Sequence, residues 1–446
     1  MNPATRPAPT SGATPVSRAT WREVLAADPE AVASQAPEWV DALAPRGYTD
    51  ATRLYALPGG RRGVLPLVAR RRLGVPVSEE SWPYGWAYGG LLVEGGELTE
   101  ADCRIVLSDL AQRPAVLRSV VPNPLQGKVW SAAADSLGLP LQRVRYRSQV
   151  VDLEPGFDEI WEKRYKRQAR NSVRKAEKFE LEVRREDGAA ASLPGRGISI
   201  FADLYAQSVD RWAEHRGQPL VIARRLAAHR DRAGQVAAVA KALGENCVVW
   251  SVLQEGRPVA VNVVLQRGRH ALGWMCAMDT ELARTTLATY LLHSVAIKDA
   301  CEHGVRWFHM GESDSGSGPE HFKAYFGAFP VDYEVLRFER LPLSRTEKGL
   351  RVAYGKAGEA TSAAKAKVAE LRARRAGGPA ATPEVADEPA AGKPDRAEPA
   401  AEKPASVKSG AEKPAAVKPA AAKPAAARPS VVEPAAPAAE KPGSGS

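Results

Sequence analysis

Cysteine is scarce. Cys103, Cys247, Cys276 and Cys301 are the only four in 446 residues, and none lies close to another along the chain. That spacing implies neither a disulfide framework nor a zinc knuckle, and reduced thiols in a cytoplasm are expected. The seven histidines show no metal-ligand spacing and no HExxH motif occurs, so no metal is expected. No apolar run approaches the roughly 18 residues that span a bilayer. Any membrane contact is therefore expected to be peripheral. The first residues, with Pro3, Pro7, Pro9 and Pro15, lack the apolar core of a secretory signal. Acid is the charge in deficit: 52 Asp and Glu face 62 Lys and Arg, a formal net charge of +10.

What remains is ample for folding. Ten Trp supply core volume, and 446 residues predict two or three domains. Residues 1–20, rich in Pro, Thr and Ala, are expected to be disordered. Residues 21–149 read as a first mixed α and β unit, with a hairpin turning at Pro58-Gly-Gly60 and a helix capped by Thr99. Residues 150–342 read as a second such unit. Beyond it, 343–375 is expected to form a basic, Ala-rich helix. In 376–446 nine basic and nine acidic residues lie among Ala and Pro. That composition buries no core and predicts a disordered, low-complexity tail.

The second unit holds two stretches with chemistry in them. One is 305–328. An apolar strand, Val305 to Met310, runs through Gly311 into the polar loop Glu312-Ser-Asp-Ser-Gly-Ser-Gly318. Pro319 then opens a helix with Ser317 or Gly318 as cap, and the helix carries His321, Phe322, Lys323 and Phe326 up to Gly327. A loop ending at a helix start turns N–H groups outward toward an anion or a developing oxyanion, and Lys323 is placed to reinforce that field. The other stretch is a helix expected from Asp158 to about Phe179. Trp161, Tyr165, Ala169, Val173 and Ala176 fall on one stripe. Lys163, Arg167, Arg170, Arg174 and Lys178 fall on the opposite one. Eight of the sixteen residues in 163–178 are basic. Such one-sided charge repels itself unless an anion lies along it, and it points to a phosphate-bearing partner.

The order of elements from 247 to 341 resembles half of a GNAT-type acyltransferase. The specific resemblance is to FemABX-like transferases, which join an amino acid from aminoacyl-tRNA to an amine. Three stretches carry it: the Arg-rich helix 161–179, the helix and strand 286–311 ending in Gly, and His321-Phe-Lys-Ala-Tyr-Phe-Gly327, similar to the family's Phe-Lys-x-x-Phe-Gly element. The resemblance implies an α/β (α+β) fold of two packed GNAT-like halves, the first degenerate. It implies that Lys323 stabilises charge on the donor, with Phe322 packing beside it. Ser317, Gly318, Arg167, Arg170, Arg174 and Lys178 would bind substrate, and Glu312 or Asp314 would serve as base. The donor would be aminoacyl-tRNA with no resident cofactor, and the acceptor a cell-wall precursor or an amine-bearing metabolite. A cytoplasmic monomer is expected. Acyl-CoA is the alternative donor. Against it, Arg284-Thr-Thr-Leu-Ala-Thr289 places Leu287 where CoA-dependent members have a Gly. A third reading makes the chain a non-catalytic polyanion-binding module on a transferase-like core.

Overall fold

The computed structural model describes residues 13–341. The expected basic helix and low-complexity tail, and most of the expected N-terminal disorder, lie outside those residues.

The first half of the chain contains β1 (Thr14–Pro15), α1 (Arg18–Ala27), α2 (Glu38–Leu43), β2 (Thr49–Asp50), β3 (Arg53–Ala56), β4 (Arg62–Leu65), β5 (Val68–Arg72), β6 (Val75–Glu80) and β7 (Leu92–Val93). It continues with α3 (Glu100–Gln112), β8 (Leu117–Val120), α4 (Gly127–Leu137) and β9 (Gln142–Asp152). Structure begins earlier than the expected Trp21, because Thr14 and Pro15 pair with β3 and Ser17 Oγ caps α1 at Thr20 N–H. The expected hairpin forms between β3 and β4. The chain then breaks at Pro66 and β5 leaves for another sheet, since proline cannot continue a central ladder.

The second half contains α5 (Phe157–Glu159), α6 (Arg167–Ala176), β10 (Leu181–Asp187), α7 (Gly188–Ala191), α8 (Gly197–His215), α9 (Leu220–Arg230) and α10 (Arg232–Leu243). It goes on through β11 (Cys247–Gln254), β12 (Arg257–Arg267), β13 (His270–Met278), α11 (Thr280–Thr286), α12 (Ala288–Glu302), β14 (Trp307–Glu312), α13 (Gly318–Ala324) and β15 (Phe329–Glu339). The helix expected to run unbroken from Asp158 to Phe179 is interrupted. A π-helical turn over Ile160–Arg164 ends at Tyr165, whose backbone is extended, and α6 starts afresh. α9 and α10 are likewise separate helices, broken at Asp231 with φ +44°.

Eleven strands form one sheet in the order β10-β11-β12-β13-β14-β9-β15-β8-β6-β5-β2, and β1-β3-β4-β7 form a small second one. β9 pairs with β14 on one side and β15 on the other, while β15 reaches β8 in the first half. The two halves therefore exchange strands at the centre, and a division at 149/150 falls inside β9. Both faces of the sheet are covered, so neighbouring residues of one strand enter different cores. On β11, Cys247 and Val249 face α8 and α10, while Val248, Trp250 and Val252 face α12. A third core packs α3 and α4 against β15 through Leu336 and Phe338.

Candidate active site

The sheet opens where β13 meets β14. The two strands are parallel and pair only at His270–Leu272 with Trp307–His309; β13 then runs on to Met278 without its neighbour. β14 also loses β9 between His309 and Glu312, so Met310 and Gly311 belong to neither ladder. Gly311 makes this turn with φ +78°, a conformation costly for any residue with a Cβ. The result is a gap in the sheet walled by Gly273 on one side and Gly311 on the other.

Lys323 of α13 fills the edge of that gap. Its Nζ donates to Gly311 O at 3.1 Å, Glu312 O at 2.8 Å and Ser313 Oγ at 2.8 Å. Three donors meet three acceptors, so the ammonium is fully satisfied by the chain itself. Burial pushes its pKa down to about 8, partly opposed by the Glu312 carboxylate. A lysine poised there is charged at neutral pH yet weakly solvated. An oxyanion formed nearby would need only the rotatable Ser313 hydroxyl to yield its place.

Around Lys323 the side chains are aromatic. Phe322 packs edge-on against Tyr290 at 5.0 Å and against His293 at 5.3 Å, and Phe326 closes the cluster beneath. His293 was not singled out from the sequence, where a lone histidine in an apolar helix carries no spacing signal. Its Nδ1 bonds Thr289 O at 2.9 Å. Burial, with a smaller contribution from Lys323, pushes its pKa down to about 4. The imidazole is therefore neutral, and the Thr289 contact assigns its proton to Nδ1 and leaves Nε2 as an acceptor.

Glu312 lies at the junction of this cluster with a cavity of about 350 Å³ on the α8 side of the sheet. Tyr88, Tyr146, Phe201, Trp274 and Tyr333 supply much of its wall, with Glu80 and Glu312 as its acids. The Tyr333 hydroxyl donates to Glu312 Oε1 at 2.5 Å. Burial, with Tyr88 and Glu312 nearby, raises the Tyr333 pKa well above its ordinary value, so that proton stays on the phenol. Trp274 enters the cavity because the β12–β13 register slips at Val263/Val264 and leaves it as the extra residue of a bulge. Cys276 opens to the same cavity and is exposed there. A hollow of similar volume between α8 and the start of α11 is lined by none of the residues expected in the site.

The remaining expected residues divide. Asp314 is exposed on the loop and does not line the cavity. Ser317 is the α13 cap, its Oγ accepting from Glu320 N–H at 3.3 Å, and Gly318 is the first helical residue. The anion cradle expected at this helix start already holds a carboxylate of the chain itself: Glu320 Oε2 accepts the Gly316 N–H at 2.6 Å. The basic stripe survives the break in its helix and is attached to the Lys323 helix. Lys166 N–H donates to Tyr325 O at 2.8 Å, and Tyr165 packs edge-on against Phe326 at 5.2 Å. Arg167, Arg174 and Lys178 are exposed, with Arg174 over the Trp161 ring at 5.7 Å. Arg170 instead turns inward to cap the carbonyls of Trp161 and Glu162. Leu287, at the start of α12, has φ +58°. It keeps the left-handed shape that a glycine holds easily, with its side chain packed toward Val173, Ala176 and Leu291.

Residues 163–324 match the acetyltransferase (GNAT) domain family. No curated protein matches the chain. Among solved structures, FemX is similar with a TM-score of 0.52 at 13% identity, over 73% of this chain and 96% of FemX. The C-terminal domain (DUF2156) of a putative lysylphosphatidylglycerol synthetase from Agrobacterium fabrum has a TM-score of 0.44 at 11% identity, over 75% and 97% of the two chains. A tandem GNAT protein from the clavulanic acid biosynthesis pathway has a TM-score of 0.39 at 15% identity, over 73% and 98%. At these identities the likeness is one of fold, and the FemX superposition carries it.

Proposed function

We propose that this chain, with a GNAT-family match over residues 163–324 and a FemX-like fold, is an acyltransferase that moves an aminoacyl group from aminoacyl-tRNA onto an amine acceptor, forming an amide. The observation that carries this reading is the attachment of the Arg-rich helix α6 to the Lys323 helix through Lys166 and Tyr325. A phosphate-binding surface and a charge-stabilising group are thereby held in one rigid arrangement. The nucleic acid would lie along Arg167, Arg174 and Lys178, its acylated end entering the gap between β13 and β14.

The reaction is aminolysis of an ester. A neutral amine attacks the carbonyl, the carbonyl oxygen becomes an oxyanion, and the ribose oxygen leaves with a proton. Lys323 faces the developing negative charge, in a poorly solvated position where a fixed cation is worth far more than in water. The aromatic cavity holds the acceptor. Glu312, which lines the cavity, is placed to take the amine proton, and positioning alone supplies much of the rate for an ester this reactive. The acceptor class, a cell-wall precursor or a smaller amine, follows from the family resemblance. The test is incubation with tRNA pools charged with labelled amino acids, followed by measurement of label on added amines. Transfer from charged tRNA supports the reading; no transfer from any pool, with saturable turnover of acyl-CoA, overturns it.

One observation favours that second donor. The turn before α12 keeps its left-handed backbone although Leu287 stands where CoA-dependent enzymes have a glycine.

A further inference from the structure

Twelve large hydrophobic side chains are exposed among the described residues, and five of them, Trp212, Leu220, Val221, Ile222 and Leu226, crowd the turn between α8 and α9. Val221 is 79% exposed and Ile222 52%. Folding does not require this. α9 is already held to α8 by Ala223, Val209 and Ala213, and Pro219 starts the helix. The three residues after that proline simply point outward. Isolated exposed apolar residues need no explanation, but a contiguous group marks a surface that is covered in use.

The charge on this turn says by what. Between 212 and 230 there are four arginines, Arg216, Arg224, Arg225 and Arg230, against one acid, Glu214. All four arginines are exposed. Arg224 is paired with Asp210 through two contacts of 2.9 and 2.7 Å, which leaves Arg216, Arg225 and Arg230 as the outward charge. At a protein interface each guanidinium buried among apolar neighbours would need its own fixed carboxylate. At a bilayer the same arrangement is self-consistent: apolar side chains enter the acyl boundary, arginine stems lie along them, and the heads reach the phosphates. A tryptophan at the rim suits the headgroup level. The turn also adjoins the cavity. Trp212 packs edge-on against Tyr205 at 6.0 Å, and Tyr205 stacks on Phe201 in the cavity wall.

We propose that the α8–α9 turn docks the protein onto an anionic phospholipid bilayer, with Val221, Ile222 and Leu226 inserted and Arg216, Arg225 and Arg230 on the lipid phosphates. Trp212 at that surface is joined through Tyr205 to the cavity wall, so docking brings the cavity close to an acceptor held at the membrane. Docking needs no substrate and stands apart from the choice of acyl donor.

The test uses the full-length protein and sedimentation with vesicles of phosphatidylcholine alone or with one quarter phosphatidylglycerol. Two variants are compared, Val221→Asp/Ile222→Asp and Arg225→Glu/Arg230→Glu. Every altered side chain is exposed, and circular dichroism and melting temperature verify that both fold. The wild type should bind the phosphatidylglycerol vesicles and release them as salt rises, while each variant loses at least about tenfold in affinity. Equal binding to pure phosphatidylcholine would overturn the electrostatic half of the proposal. Wild-type affinity in both variants would place binding elsewhere on the chain and overturn it altogether. So would a wild-type dimer in light scattering that the Asp variant converts to monomer, because a second copy would then cover the patch.

Discussion

Lys323 uses all three of its N–H donors on oxygens of the 311–313 turn, and its role can be separated from that structural tie. If its charge is needed as the oxyanion develops, Lys323→Ala should lower turnover by about 10²–10³-fold, the scale of a lost oxyanion donor. Acceptor KM should change much less, and steady-state kinetics on a folded variant checks both. The pH profile gives a second reading. With a pKa of about 8 in the folded protein, the charged form is lost as pH rises through that value, and transfer should decline on the alkaline side. Lys323→Arg, which keeps its charge, should abolish the decline even where its geometry lowers the rate. The stability effect has the opposite sign. A base whose folded pKa lies below its unfolded value of 10.5 binds fewer protons folded than unfolded between about 8 and 10.5. The cost of burying the charge is thus fully present below pH 8 and is relieved across that window. Denaturation midpoints of wild type and Lys323→Ala, compared at pH 7.5 and 10, should shift in favour of the wild type at the higher pH. Lys323 and Phe322 were legible because a short motif holds both; His293 was not, because only the packing of α12 on α13 brings it to Phe322.

At the scale of elements, the basic stripe and the α12 turn are where the two proposed donors can be told apart. Neutralising Arg167, Arg174 and Lys178 should weaken tRNA binding and flatten its salt dependence by roughly 0.7 per lost phosphate contact on a log–log plot. Filter binding across a salt series measures this. Arg170 should contribute little to that slope, since its guanidinium is turned to the chain's own carbonyls, yet its removal should destabilise the Tyr165 break. Unchanged affinity in the triple variant would leave the stripe merely solvated. Leu287→Gly relieves a left-handed strain of roughly 1 kcal/mol, but it adds chain entropy of similar size and removes the side chain packed toward Val173, Ala176 and Leu291, so stability should fall by about 1–2 kcal/mol. If acyl-CoA is the donor, the same variant should bind it more tightly in calorimetry, because the backbone is then open to a pyrophosphate. The break at Tyr165 escaped sequence reading for a definite reason. Trp161, Tyr165 and Ala169 keep helical spacing whether or not the helix is continuous, and the break is held by a partner far along the chain, Lys166 N–H on Tyr325 O, together with Arg170 on the carbonyls of Trp161 and Glu162.

For the molecule as a whole, β9 and β15 are the decisive pieces. Each joins the two halves at the centre of one sheet, so neither half closes its own core. A chain ending before Phe329 should fail to fold, and a fragment starting after Asp152 should aggregate for want of β9. A chain ending after Leu341 should keep its melting temperature within a few degrees and retain transfer, since the last strand among the described residues ends at Glu339. Thermal melts and label-transfer assays on these truncations test all three.

The amino-acid sequence by itself determined what local chemistry can express: the alternation of strands and helices, the caps at Thr99 and Ser317, the basic stripe, and the Phe-Lys element around Lys323. These depend on neighbours within a turn or two, and such contacts are written in spacing. The tertiary structure alone decided the exchange of β9 and β15 between halves and the opening of the sheet at Gly311. It also decided the filling of the α13 helix start by Glu320, and the meeting of Tyr88, Trp274 and Tyr333 around one cavity. Each of these joins residues far apart along the chain, and no local period carries a signal for a partner that only folding brings near.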